Sequence, residues 1–335
     1  MTSASEAQIP AQRRAMNIAD FVQRFGTLGI FVALVVVSRF WSDSFLTYGN
    51  VTNVLRQVAA GAGIMAVGML FVILTRGIDL SVGSIAALGS VLTGYFMATS
   101  GFGLAPTLLL VVIAGAACGL FTGILVAYLR LPSFVISLAM MAVARGLALT
   151  ISEGRPITLG DSGAPLVAFG SGFFDFGKGV TLPYLVVLML AVYVVGGVVL
   201  SFTRFGRIIT AIGSNEEAVR LSGIAVPRYV LAVYVISGAL AAVAGIILAS
   251  RSGIGTAQVG VGAELNVIAA VVIGGASLMG GRGGVVNTLL GALIMGIIGN
   301  IMNLAGVPGY SQPVYTGLII VFAMLLQYFA GALKR

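Results

Sequence analysis

The feature that most constrains this chain is a series of apolar runs, each about as long as a bilayer is thick. A helix crosses the hydrocarbon core of about 30 Å with about 20 residues. The runs are continuously apolar and do not alternate with polar residues, which favours helices over the strands of a membrane barrel. We predict spans at 27–45, 51–75, 81–99, 104–129, 133–152, 181–202, 229–250, 264–279, 284–304 and 311–331.

Composition points to the same class of protein. Hydrophobic residues make up 59% of the chain and charged residues 8%, whereas soluble domains have about 45–50% and 25%. A soluble fold of 335 residues could not cover its surface with so few charges. We therefore predict an all-α integral membrane protein, a polytopic bundle of about ten transmembrane helices. It forms one domain at 27–331, between tails at 1–26 and 332–335.

The net charge of +8 bears on orientation, because Lys and Arg are enriched in cytoplasmic loops. Ten spans leave both termini on one side, and a cytoplasmic location for them puts most of the 18 Lys and Arg residues inside. Residues 203–228 are then cytoplasmic and the loop at 153–180 is outside, where it suits either a docking surface or a plain connection. Aromatic–basic interleaving is absent, so the charge does not indicate nucleic-acid binding.

The residue types argue against chemistry performed by the chain itself. There is no histidine, so the commonest general base and metal ligand is missing. The single cysteine, Cys118, lies in an apolar run and is expected to pack there. The run 273–284 holds six glycines but lacks the Lys-Ser/Thr pair of a nucleotide-binding loop. We predict no catalytic residue, no metal site and no cofactor bound by this chain.

A polar segment at 203–228 separates two long apolar regions. Ser214 followed three residues later by Glu217 is typical of a capping box at a helix start. Glu216 and Arg220 are spaced to form a pair on one helix face, and Gly223 is a suitable helix end. The pattern predicts a short amphipathic helix outside the membrane. It is either the contact for a soluble partner or an ordinary loop helix.

A second polar group lies in the turn between the second and third spans. Asp79, Ser81 and Ser84 belong to the sequence Gly77–Ser84, whose glycines and serines can cap or unwind helices. An aspartate at a helix start is stabilised by the helix dipole. The residues therefore either cap a simple turn or line or gate a pathway.

Two further charged residues lie in apolar surroundings. Arg145 lies within the span 133–152, where a charge costs about 2.5–3.5 kcal/mol. It is either a functional residue or a side chain that reaches the interface. Glu264 begins a short span and is a candidate cap or pathway residue.

Four blocks of the chain resemble the permease subunits of ribose-type sugar ABC importers, the branch that carries ribose, xylose, arabinose, galactose and autoinducer-2. The resemblance covers about residues 45–330. The blocks are TRGIDLSVGSIAALGS (75–90), LPSFVISLAMMAVARGLAL (131–149), GRIITAIGSNEEAVRLSGI (206–224) and AAVVIGGASLMGGRGG (269–284).

The resemblance implies a multi-pass protein of the bacterial inner membrane, surrounded by lipid, and it implies several partners. These are a second permease, identical or related, a cytoplasmic ATPase that uses Mg-ATP, and a periplasmic or lipid-anchored sugar-binding protein. The segment Ser214–Gly223 would dock on the ATPase, and Asn215, Glu216, Ala218 and Gly223 are carried over by position. The family commonly has acid-Leu-Asp where this chain has Glu264-Leu265-Asn266, so Asn266 departs from the pattern at a candidate pathway position.

Two other functions are weighed against this one. A self-sufficient ion-coupled carrier or channel would place acidic residues in the membrane to bind the ion, and this chain has almost none. A membrane-embedded enzyme would need a concentrated polar site, and the sequence offers none.

Overall fold

In a computed structural model the chain is a bundle of helices, described for residues 18–177 and 179–332. Residues 1–17 and 333–335 of the predicted tails, and Lys178, lie outside the described residues. The helices are α1 Ile18–Trp41, α2 Tyr48–Val58, α3 Ile64–Leu74, α4 Val82–Gly94, α5 Leu104–Ala127, α6 Ser133–Ile151, α7 Ala164–Ser171, α8 Tyr184–Phe202, α9 Arg204–Ser214, α10 Glu216–Leu221, α11 Val226–Ser252, α12 Ala263–Ile273, α13 Val285–Leu304 and α14 Gln312–Ala332.

Seven helical segments within the described residues are long and apolar enough to cross a membrane. They are Tyr48–Leu74, Val82–Thr99, Leu104–Ala127, Ser133–Ile151, Tyr184–Phe202, Val226–Ser252 and Val285–Leu304. Shorter apolar helices lie at Gly26–Trp41, Ala263–Ile273 and Gln312–Phe322. The prediction of an all-α membrane protein is confirmed. The count of ten spans and the location of the termini stay predictions.

The helix of the short span predicted at 264–279 ends six residues earlier than predicted. The helix found there, α12, has 11 residues, which gives a length of about 16 Å, roughly half of the hydrocarbon core. It ends at Ile273 because two glycines follow, and Gly275 adopts a φ of +86°, which side chains other than glycine disfavour. A half-helix therefore precedes the glycine-rich loop 274–284.

The centre of the bundle is α11, which packs against α3, α4 and α5. Lipid supplies no hydrophobic force between helices, so association depends on close packing of small residues. A Cβ on Gly119 would overlap the carbonyl oxygen of Tyr234, and one on Gly238 would overlap that of Gly115. These glycines let the backbones of α5 and α11 touch.

Helix α3 lies in the interior of the bundle. All of its 11 residues are buried, as expected for a helix that is apolar on every side. A π-helical turn at Ala59–Gly63 joins it to α2, and Gly61 in that turn has non-helical angles of φ −99° and ψ −117°. The span Tyr48–Leu74 is therefore broken at Gly61.

The predicted loop at 153–180 has structure of its own. It contains α7, and its strand β1 (Ile157–Thr158) pairs antiparallel with β4 (Ile254–Gly255), with Ile157 opposite Gly255. The strand β2 (Phe173–Asp175) pairs with β3 (Thr181–Pro183). The β1–β4 ribbon and α7 pack against α11, whereas β3 contacts α2 and α8.

Candidate functional site

The polar segment 203–228, here called the coupling segment, contains two helices where one was predicted. Thr203 begins α9, and its Oγ1 accepts a hydrogen bond from the amide of Gly206 at 3.2 Å. In α9 the residues Gly206, Ile209, Ile212 and Gly213 are buried, while Arg204 and Arg207 are exposed. The helix therefore lies with one face on the bundle.

The predicted capping box is wrong in its first residue. Asn215 is the N-cap of α10, and its Oδ1 accepts a hydrogen bond from the amide of Ala218 at 3.0 Å. Ser214 is the last residue of α9, and its hydroxyl donates to the carbonyl of Thr210 at 3.0 Å. An Asn caps a helix as well as a Ser does, and a Ser inside a helix commonly bonds four residues back.

The predicted ion pair involves the neighbouring glutamate. Nη2 of Arg220 lies 2.6 Å from Oε1 of Glu217, not of Glu216. This hydrogen bond lowers the pKa of Glu217 below its ordinary value, and the charges of Arg220 and Arg130 act in the same direction. Glu216 is exposed and forms no hydrogen bond or ion pair with other described residues. Gly223 follows α10 with a φ of +78°, as expected at a helix end.

Two other parts of the chain, 74–77 and 280–281, meet the coupling segment at its residues 213–215. We call these three stretches together the junction. The amide of Gly281 donates to the carbonyl of Leu74 at 3.0 Å. Nε of Arg76 donates to the carbonyl of Gly213 at 2.7 Å, and its Nη2 to that of Ser214 at 3.0 Å. The sequence analysis missed Arg76 and Gly213, although the glycine-rich loop signalled a close approach of backbones.

Asp79 is held by three hydrogen bonds in the loop before α4. Its Oδ1 accepts from the amide of Ser81 at 3.0 Å and from the Ser81 hydroxyl. Its Oδ2 accepts from the hydroxyl of Ser237, in α11, at 2.8 Å. Asp79 is 1% exposed, and Ser84 lies buried in the first turn of α4. Asp79 therefore ties an irregular segment to the central helix, while the N-cap of α4 is Ser81, which makes no side-chain cap hydrogen bond.

Arg145 binds backbone carbonyl groups in place of a carboxylate. Its guanidinium donates to the carbonyl of Val259 at 2.8 Å and to that of Ala257. Both carbonyls belong to the non-helical segment between β4 and α12. Glu264 starts α12, and a Cβ on Gly83 would lie 2.5 Å from its Oε2. Arg145 thus ties this segment to α6, and Glu264 packs closely against Gly83 in the first turn of α4.

A cavity of about 220 Å³ lies between the broken span Tyr48–Leu74, α12, α13 and α14. Its polar lining consists of Gln57, Asn266, Gln312 and Thr316. Of the six predicted pathway residues, Asn266 lines this cavity. The other five lie outside it, and of these the aspartate and the two serines are buried while the arginine and the glutamate are partly exposed. They are Asp79, Ser81, Ser84, Arg145 and Glu264.

A larger cavity of about 630 Å³ opens beside the coupling segment. Arg76, Arg130, Glu216 and Arg220 line it together with the buried Tyr234. Two predicted coupling residues and the junction arginine therefore share one recess.

Two arginines lie close together at the opposite end of the bundle. Arg56 donates from Nη2 to the carbonyl of Gly170 at 3.0 Å, and its guanidinium carbon lies 5.1 Å from the ring centre of Phe173. Its Nε is buried without a hydrogen-bond partner among the described residues. The charge of Arg251 is near enough to repel it. This surface lacks a matching anion within the described chain.

Comparison with known proteins gives consistent matches over nearly the whole chain. Residues 50–327 match the family described as "Branched-chain amino acid transport system / permease component". The ribose import permease protein RbsC of Escherichia coli strain K12 is 40% identical over 324 residues, covering 95% of this chain and 98% of that protein. RbsC of Bacillus subtilis strain 168 is 41% identical over 320 residues, covering 95% and 97%.

The L-arabinose transport system permease protein AraH of Escherichia coli strain K12 is 34% identical over 339 residues, covering 100% of this chain and 99% of that protein. No solved structure matches the chain. These matches and the apolar helices identify a multi-pass protein of the inner membrane.

Proposed function

Because this chain belongs to the permease family of branched-chain amino acid transport systems, we propose that it forms the membrane pathway of an ABC importer for a monosaccharide. The observation that carries the proposal is full-length similarity to permeases named for ribose and L-arabinose. Both sugars are pentoses, so a pentose is the first substrate to test, ahead of hexoses and autoinducer-2-like sugars.

Energy for import comes from a separate cytoplasmic ATPase that uses Mg-ATP. The surface that would receive it is the coupling segment, where Glu216, Glu217 and Arg220 are exposed and Leu221 is 78% exposed. Exposed charges around an exposed apolar residue are typical of a protein contact. The adjoining cavity of about 630 Å³ gives a side chain of the partner room to enter.

The sugar passes close to the cavity at Asn266. Amide and hydroxyl groups from Gln57, Asn266, Gln312 and Thr316 offer donors and acceptors that suit sugar hydroxyls. They carry no formal charge, which suits a pathway that must release its cargo. A second permease copy, identical or related, completes the pathway.

A sugar-binding protein delivers the substrate to the opposite end of the bundle. Arg56 and Arg251 supply positive charge there, and α7 with the β2–β3 ribbon supplies a shaped surface. The positive charge of these two arginines favours an acidic surface on the delivering protein.

The alternative of an ion-coupled carrier receives no support from the relatives, which are named as permeases of import systems. Asp79, the buried acid nearest the bundle centre, is fully occupied by serine donors. That arrangement leaves it poorly suited to bind a coupling ion.

The test uses tagged full-length protein, extracted in mild detergent, with sugar uptake measured in cells. Wild type should recover an ATPase with nucleotide-binding motifs. Glu216→Lys should lower that recovery and pentose uptake by at least about tenfold, because a reversed charge at a contact opposes docking. Glu153→Lys, an exposed acid in the loop at 153–180, is the matched control and should recover the ATPase normally.

Two results would contradict the proposal. Normal ATPase recovery and uptake with Glu216→Lys would show that the coupling segment is assigned wrongly. Ion-driven uptake by the purified permease alone in liposomes would replace the importer by the self-sufficient carrier.

A further inference from the structure

At the junction the coupling segment is joined to α3 by the side chain of Arg76 and by close packing of the two backbones. We propose that Arg76 is the positioning residue that passes movement of the coupling segment to α3 and so to the cavity at Asn266. The proposal rests on the proposed function, because it assumes that an ATPase moves the coupling segment.

The backbone at Arg76 is the first argument. Arg76 follows α3 with a φ of +65°, and the amides of Arg76 and Gly77 close the helix by donating to the carbonyls of Ile73 and Val72. Glycine normally occupies such a left-handed position at a helix end, since a side chain disfavours it. An arginine here directs its side chain away from α3 and towards α9.

The contacts of the guanidinium are the second argument. Arg76 donates to the carbonyls of Gly213 and Ser214, which are the last two residues of α9. Carbonyls at a helix end lack partners within the helix and attract a cation. The two bonds use the fixed fork of the guanidinium, so α3 cannot turn or slide without pulling on α9.

The packing around these bonds leaves little room to move. A Cβ on Gly213 would overlap the carbonyl oxygen of Leu74, and one on Gly280 would collide with Cγ of Arg76. The amide of Gly281 also bonds to Leu74. Close-packed groups pass a displacement to their neighbours and do not absorb it.

The far end of α3 is the third argument. Its buried residues Ile64–Leu74 extend for about 16 Å and reach the π-helical turn Ala59–Gly63, where Gly61 departs from helical angles. Gly61 and Ala62 line the cavity that holds Asn266. Helix breaks of this kind serve as hinges at functional sites. A displacement of α3 at Arg76 would therefore change the backbone at Gly61, in the cavity wall.

A purely structural role for Arg76, as a cap of α9, gives a different expectation. A cap would affect the amount of folded protein but leave import per folded molecule unchanged. The distinguishing readout is the response of the cavity wall to ATP.

The experiment places a reporter in the cavity. Cys118 is the single cysteine, so Cys118→Ser with Ala62→Cys gives one thiol at the cavity wall. Its alkylation rate is measured in the permease–ATPase complex with and without Mg-ATP. Arg76→Gln, Arg76→Lys and the control Arg39→Gln are then compared. Arg39 is exposed in the last turn of α1, outside the coupling segment, and its side chain pairs with the exposed Asp43.

With Arg76→Gln we expect normal ATPase recovery, an alkylation rate that no longer responds to ATP, and uptake per ATP hydrolysed lower by on the order of tenfold. Arg76→Lys should be intermediate, because an ammonium does not reproduce the fork. Arg39→Gln should behave as wild type.

Normal uptake and an ATP-dependent alkylation rate in Arg76→Gln would overturn the proposal. So would a loss confined to the yield of folded protein, with wild-type import per folded molecule. Absence of any ATPase from the wild-type complex is a separate result, because it would overturn the proposed function itself.

Discussion

The junction and the cavity at Asn266 lie at opposite ends of α3. At the junction a glycine is in close contact with its neighbours, whereas at the cavity two glycines border open space. At the junction a Cβ on Gly213 would overlap the backbone of α3. At the cavity Gly61 and Gly299 have nothing within 4 Å of such a Cβ. The junction is therefore fixed by contact, whereas the cavity has free volume beside Gly61 and Gly299. The contrast shows where a displacement is transmitted and where it can be accommodated.

The sharpest test of this contrast compares two alanine substitutions within helices. Gly213→Ala should destabilise the protein by about 3 kcal/mol, because the new methyl group has no room beside Leu74. Gly299→Ala should stabilise it by about 0.5 kcal/mol, since the methyl group enters open space and the unfolded chain loses freedom. Thermal unfolding in detergent measures both. Equal shifts for the two variants would remove the contrast.

A second test fills the free volume. Asn266→Trp should reduce sugar uptake to background while leaving ATPase recovery normal, because an indole occupies much of a cavity of about 220 Å³. The same substitution at Leu265, which is 49% exposed and does not line the cavity, is the control. Uptake that survives Asn266→Trp would mean that sugar takes another path.

The smallest effect is expected at the exposed face of the coupling segment. Arg220 lowers the pKa of Glu217 below its ordinary value of 4.5, so the pair stabilises the folded segment at pH values above that ordinary value. This contribution is lost as the pH falls through the lowered pKa, when the carboxylate becomes protonated. A carbon-13 titration of the Glu217 carboxyl in nanodiscs measures the shift. Arg220→Gln should return the midpoint to the ordinary range, and an unchanged midpoint would contradict the pairing.

Much of the fold could be predicted because the tendency of a segment to enter the membrane is close to the sum of the hydropathies of its residues. The apolar runs marked the spanning helices, and the blocks around 75–90 and 206–224 indicated the permease family, which the relatives confirm. The error at 264–279 arose because apolar composition continues past Ile273, whereas the helix stops at the glycine pair. A continuous apolar run does not show where the backbone leaves the helix.

The junction was beyond sequence reasoning for a different reason. Its bonds join Arg76 to residues more than 130 positions away, and no local pattern encodes such a pairing. Local reasoning also chose the wrong partner for Arg220, because spacings of three and four residues both bring side chains together on a helix.

The polar groups of the cavity come from three separate helices. The sequence analysis identified Asn266 among them and missed the others.

The contacts of Arg145 affect which residues of this protein can be substituted. It binds the carbonyl groups of Ala257 and Val259 and none of their side chains. A main-chain carbonyl is present whatever residue occupies the position, so the anchor survives replacement of its partners. Substitutions at Ala257 and Val259 should therefore leave this anchor in place, provided that the arginine stays.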